Sequence, residues 1–449
     1  MKTSSKLLLQ NGIIVNEGKA RQGDILIENN RIVKIASAIP VNRADEVYNA
    51  AGKHILPGCI DDQVHFREPG LTHKASIASE SRAALAGGIT SFLEMPNTQP
   101  QTTTVELWEA KNQIAAATSA ANYGFMFGGT NDNLDEILAL DSKRVPALKL
   151  FLGSSTGNML VDNPAVLRKI FSSTKLVIAV HCEDELTIKE NLAAAKATYG
   201  EVIPPDQHPI IRSETACYLS SSKAVALAKE TGARLHVFHL STAKELKLFS
   251  NKIPLADKKI TAEVCVHHLN FSDKDYASKG NRIKWNPAVK TEADQNALWE
   301  AFNNDLIDVL ATDHAPHTLE EKEQPYLQAP SGGPLVQHAL PAMLTAVNQG
   351  KTTLEKLVEK AAHNPAILFD IKDRGFIREG YYADLVVVDM QQPTTVSTND
   401  LLYKCGWSPF EGTTFSAAIE RTLLNGHWVY CDGEVIDVSV AMPLEFDRN

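Results

Sequence analysis

Along this 449-residue sequence, aspartate, histidine and lysine recur where short apolar runs come to an end. HILPGCIDDQVHF closes on Asp61, Asp62, Gln63 and His65, ALKLFLGS carries Lys149, and KLVIAVHCE reaches His181. RLHVFHLS holds His236 and His239, and IDVLATDHA ends with Thr312, Asp313 and His314. Imidazole and carboxylate groups bind zinc and related divalent ions, and such an ion makes hydroxide available near neutral pH. The residue types therefore point to metal-assisted hydrolysis. Side chains alternate between the faces of a strand, so Asp61, Gln63 and His65 are expected to point one way. By the same rule only one of His236 and His239 can face a shared interior. His239, nearer the end of its run, is taken as the ligand, and His236 is assigned to packing or to a helix-facing side.

These residues need a scaffold that gathers many strand ends. The five runs, with GITSFLEMPN, YGFMFGG and KITAEVCVHHL, make eight candidate strands. Alanine-rich stretches such as ASIASESRAALAGG and ETACYLSSSKAVALAKETGA supply helices between them. Eight strands alternating with helices over roughly 300 residues predict an α/β fold, a (β/α)₈ TIM-like barrel with its chemistry at the C-terminal strand ends. A doubly wound open sheet fits less well, because no G-x-G-x-x-G follows the first strand. The two ends of the chain read differently, as short β-strands. Asn11-Gly12, Asn29-Asn30, Asn425-Gly426 and Asp432-Gly433 mark turns between them. The termini are thus expected to meet in one small β-sandwich domain, residues 1–57 and 376–449, around a metal-dependent barrel at 58–375.

Bulk properties narrow the partners. A formal net charge of −10 disfavours nucleic acid and anionic membrane surfaces, yet leaves room for a small anionic substrate beside a few local cations. Six scattered cysteines form no C-x-x-C pair, which suggests reduced thiols in a cytoplasmic protein. The leucine run at 7–9 is too short for a signal-peptide core, and no apolar run approaches membrane-spanning length.

Several blocks carry a family resemblance: DDQVHFREPG, MPNT at 95–98, HCE at 181–183, HLST at 239–242 and ATDHAPHTLEEK at 311–322. Weaker matches are NPA at 286–288, GYYADLVVVD at 380–389 and SPFEG at 408–412. Together they resemble the dihydroorotase branch of the amidohydrolase superfamily over nearly the whole chain. The resemblance implies His65, His181, His239 and Asp313 as ligands of one or two zinc ions. It also implies Lys149, carboxylated by CO₂, as a bridging ligand; the bland alternative is an interior lysine paired with an acid. That chemistry needs a neutral amine, so Lys149 should sit where burial lowers its pKa. Where the family reads Asp-x-His-x-His, this chain has Gln63, a weaker donor that could hold a first metal less tightly or leave a single ion.

Carried over in the same way, Arg67, Asn97, Asn286 and His317 are substrate contacts, Arg67 as the carboxylate clamp. Without the surrounding blocks, Arg67 would read as a surface ion pair and Asn97 as a capping residue. His267 and His268 are assigned to packing or to bonds behind the ligands, and Lys290 to no role. The stretch APSGGPLVQHALPAM has the glycines of a covering loop. The implied reaction is reversible opening of L-dihydroorotate to N-carbamoyl-L-aspartate, in de novo pyrimidine biosynthesis. Metal-activated water attacks, and Asp313 serves as general base and then general acid. A hydantoinase- or allantoinase-like enzyme is the second reading. The third is an inactive scaffold that binds aspartate transcarbamoylase, favoured only by Gln63. The family also implies a homodimer.

Overall fold

The computed structural model describes residues 5–153 and 159–448, so the SSTG that follows KLFLG lies outside the described residues. Eight parallel strands form the barrel: Cys59–Val64, Ile89–Glu94, Asn122–Phe125 continued by Phe127–Gly128, Ala147–Phe151, Val177–His181, Leu235–Val237, Ile260–Cys265 and Val309–Ala311. A parallel bridge between Val64 and His314 joins the last strand to the first. These strands are largely apolar and buried on both faces, as a sheet covered by helices outside and filled within requires. The predicted helices form at Ile77–Ala86 and Glu214–Thr231. Ser76 and Ser213 cap their first turns, and Gly232, at φ +75°, ends the second.

The two chain ends build a second, mixed sheet of nine strands. Lys6–Asn16 runs parallel to His54–Pro57, and His54–Pro57 runs antiparallel to Leu385–Asp389, which seams the N- and C-terminal segments together. Leu9, Ile14, Ile27, Ile55, Leu385 and Leu423 fill its core. The run read as one strand, HILPGCIDDQVHF, is divided at Gly58 between the two sheets. A side chain at Gly58 would lie 2.1 Å from Thr90 Oγ1, so only glycine fits this crossing. The turns at Asn425-Gly426 and Asp432-Gly433 have the positive φ values of tight hairpins. Asn11-Gly12 does not form a turn. It is a bulge inside the long strand Lys6–Asn16, where the pairing slips between Leu9 and Gly12, and the chain reverses instead at Glu17-Gly18.

Ile60, Leu93, Val177, Phe238, Phe369 and Phe446 belong to one buried apolar cluster. The buried ion pair of Lys111 with Glu94 (2.6 Å) braces the second strand. Glu94 Oε1 also accepts from the backbone N–H of Phe66, between two predicted site residues. Lys111→Met is expected to cost about 3–5 kcal/mol in denaturant unfolding, because it leaves the Glu94 carboxylate buried and alone. A loss below 1 kcal/mol would show that the carboxylate is neutral without its partner.

Candidate active site

One cavity of about 730 Å³ opens at the C-terminal mouth of the barrel, and all ten predicted site residues line it. Gln63, His65, Lys149, His181, His239 and Asp313 stand together in its wall, with Arg67, Asn97, Asn286 and His317 in the same lining. Pro330, Ser331 and Gly332 of the expected covering loop form another part of it. Buried Lys322 pins that loop by donating to the carbonyls of Pro330 and Gly332, at 2.8 and 2.7 Å.

Backbone geometry aims several of these side chains. Arg67, His239 and Asp313 hold φ of +67°, +40° and +48°, a region that side chains other than glycine seldom adopt. The sixth barrel strand ends at Val237, and the corner at His239 breaks the alternation of faces. His236 and His239 therefore both sit inside the barrel, contrary to the assignment of His236 to packing. His236 Nε2 lies 3.3 Å from Asp62 Oδ2, and His239 Nε2 lies 3.0 Å from His181 Nδ1. On the first strand the register skips one residue between Asp61 and Val64. This bulge separates Asp61, bonded to Thr312 by its side chain, from Gln63 in the cavity wall, so the two do not share the expected common face.

The imidazoles are held by their far nitrogens. His181 Nε2 meets Glu183 Oε2 at 2.9 Å, which turns Nδ1 toward His239. His65 Nδ1 meets Asn97 Oδ1 at 2.9 Å, leaving Nε2 3.2 Å from Asp313 Oδ1. Anchoring one ring nitrogen by a carboxylate or amide while the other faces a common point is how proteins orient metal-binding histidines. Burial keeps His65 and His239 well below the usual imidazole pKa, so both present lone pairs at neutral pH. Burial also raises Asp313 to about 7, against the pull of Lys149 and other cations. Lys149, its Nζ between the rings of Phe151 and Phe238 at 4.8 and 4.1 Å, is lowered to about 8, again by burial. The donor set fits a divalent ion.

The opposite wall is polar and cationic. Arg67 is buried, donating from Nε to the Pro316 carbonyl and lying 3.0 Å from His317 Nε2 through Nη2. Burial lowers it only to about 10, so it stays charged at neutral pH. Lys74, which the sequence did not single out, approaches His317 Nδ1 at 3.0 Å. Asn286 Oδ1 has no protein partner among the described residues. Lys290, to which no role is assigned, turns toward the Ala288 carbonyl and Ser241. His267 stacks on Trp285 at 4.4 Å, and His268 bonds the Pro287 carbonyl. Glu183 was legible only as part of the HCE block. Its role depends on a contact across the fold, from Arg212, that spacing does not encode.

Besides the rim, two buried groups of side chains among the described residues could hold an ion: Cys265 with His267 and His268, and Asp62 with His236 and Glu263. No helix among the described residues is long and apolar enough to cross a membrane.

Fold and mouth together define a metal-dependent hydrolase. Residues 54–429 match the model of the amidohydrolase family. A dihydroorotase of Carboxydothermus hydrogenoformans is 35% identical over 94% of this chain and 98% of its own length. An allantoinase of Desulfitobacterium hafniense is 30% identical over 98% of each. Among solved structures, an L-hydantoinase (dihydropyrimidinase) of Arthrobacter aurescens superposes with a TM-score of 0.91 at 28% identity, covering 97% of this chain and 98% of its own. The chain belongs to the amidohydrolase family, in its cyclic amidohydrolase branch, whose reaction is performed on a small cyclic amide.

Proposed function

We propose that the protein is a zinc-dependent dihydroorotase of the cytoplasm, opening and closing the ring between L-dihydroorotate and N-carbamoyl-L-aspartate. The observation that carries this reading is Arg67, a charged, buried guanidinium in the same cavity wall as Asp313 and the imidazoles. Dihydroorotate bears a carboxylate on its ring, and a planar guanidinium is suited to it. Asn286, with its free amide oxygen, is suited to a ring N–H.

His65, His181, His239, Asp313 and a carboxylated Lys149 would hold one or two zinc ions, with Gln63 as a weak additional donor. When bound, zinc would polarise the scissile carbonyl and acidify water. Asp313 takes the proton from the attacking water and delivers it to the leaving ring nitrogen. Arg67 and Asn286 orient the ring, and Asn97 keeps His65 turned by its Nδ1 contact. Net ring closure runs the same proton transfers backwards.

A second reading, a hydantoinase- or allantoinase-like enzyme, is supported by the hydantoinase superposition and by the allantoinase likeness. Turnover of L-dihydroorotate, dihydrouracil, hydantoin and allantoin by the zinc-loaded protein separates the two. Preference for dihydroorotate supports the first reading; preference for rings without a carboxylate overturns it. No turnover of any ring would leave the scaffold reading, tested by co-sedimentation with aspartate transcarbamoylase. Sedimentation alone would report whether the enzyme works as a homodimer.

Carboxylation consumes a neutral amine: the nitrogen bonds to CO₂ carbon and sheds a proton. With Lys149 at about 8, the neutral fraction rises as pH climbs through that value. Metal-stripped enzyme given zinc is therefore expected to recover faster with dissolved CO₂ than without, and faster at pH 9 than at pH 7 for the same dissolved CO₂. Lys149→Ala should not recover. Recovery that ignores CO₂ would remove the carbamate from the mechanism.

A further inference from the structure

One layer below the rim, Asp62 of the first barrel strand, His236 of the sixth and Glu263 of the seventh converge inside the barrel, all with 0% exposure. Thr261 Oγ1 lies 2.8 Å from His236 Nδ1 and 3.2 Å from the Leu235 carbonyl, so the Nδ1 edge of the ring is taken up by the hydroxyl. Nε2 is then the nitrogen that faces the two acids. Glu263 Oε1 is taken up by the backbone N–H of His239 and the thiol of Cys265. What remains points inward: both oxygens of Asp62, Nε2 of His236 and Oε2 of Glu263 have no hydrogen-bond partner. Neither carboxylate has an ion pair with lysine or arginine among the described residues.

Buried acid oxygens and an imidazole nitrogen that face one another without partners call for protons or a cation between them. A proton on His236 is one solution. Burial opposes it, but the two acids outweigh burial and lift the group to about 9. Burial, with Asp62 beside it, raises Glu263 as well, so charge alone does not choose between protons and a metal ion. The spacing does. Charge-assisted N–H···O contacts run about 2.7–2.9 Å, whereas ligands on a tetrahedral zinc with bonds near 2.0–2.1 Å stand roughly 3.3–3.4 Å apart. Nε2 is 3.3 Å from Asp62 Oδ2 and 3.6 Å from Glu263 Oε2, both longer than a charge-assisted hydrogen bond.

We propose that Asp62, His236 and Glu263 form a buried structural site for a divalent cation of the zinc class, separate from the ions of the rim. The ion ties the first, sixth and seventh strands together. Through Glu263 it fixes the backbone of His239, a rim ligand in a strained conformation. The bulge that places Gln63 in the cavity wall is the same one that turns Asp62 into this site.

The test counts zinc rather than turnover, so it stands or falls apart from the dihydroorotase reading. The rim variant His181→Asn/His239→Asn, purified with zinc and dialysed against chelator, is expected to keep one equivalent until it is unfolded in guanidinium. Adding Asp62→Asn to the same background should reduce that equivalent to none in protein that is still folded by circular dichroism. Loss of all zinc from the native rim variant, or retention after Asp62→Asn, would overturn the site. If Asp62→Asn does not fold, an anomalous difference map of the wild-type crystal at the zinc edge decides. A peak among the three side chains is expected, and its absence in zinc-grown crystals overturns the proposal.

Discussion

Asp313→Asn is expected to lower kcat/KM for L-dihydroorotate by roughly 10³- to 10⁴-fold, the range of a lost general acid–base group with a weakened ligand added. The substitution is a fair test of chemistry because it changes little else. Asparagine has the same shape and tolerates the left-handed φ of +48° that this position requires. It cannot take a proton from water at neutral pH or hand one to a leaving nitrogen. Burial has already lifted the native carboxyl to about 7, where proton exchange with water and amide is best matched. Steady-state kinetics with zinc content measured in parallel would check the result. Activity within tenfold of wild type, at equal metal content, would move the proton transfer to another group.

The second large effect concerns substrate choice. Arg67→Gln is expected to cost about 2–4 kcal/mol in kcat/KM for dihydroorotate, roughly 30- to 10³-fold. The same variant should leave turnover of dihydrouracil, a ring without the carboxylate, within a fewfold of its starting value. The asymmetry is the point of the experiment. Arg67 spends Nε on the Pro316 carbonyl and Nη2 on His317, while Nη1 has no protein partner among the described residues. If both substrates suffer equally, the guanidinium braces the Pro316–His317 turn and does not read the substrate. The hydantoinase-like alternative would then gain ground.

Much of this site was legible in the linear sequence. Metal ligands must carry lone pairs, and a barrel must bring strand ends to one mouth, so His65, Lys149, His181, His239 and Asp313 could be named from residue type and position in the run. Periodicity likewise separated the β-rich ends from the alternating middle, and Asn425-Gly426 and Asp432-Gly433 announced their own turns. Side-chain direction was another matter. The period of two holds only while a strand is regular, and the bulge after Asp61 and the left-handed corner at His239 both interrupt it. Neither leaves a mark in the apolar pattern, because each depends on how neighbouring strands register once the barrel closes. The tertiary structure alone therefore sent His236 and Asp62 inward to meet Glu263, spent the amide oxygen of Asn97 on His65, and drew Lys290 away from the cavity. Residue types stated what chemistry the chain could do; the closure of the barrel decided which groups would meet to do it.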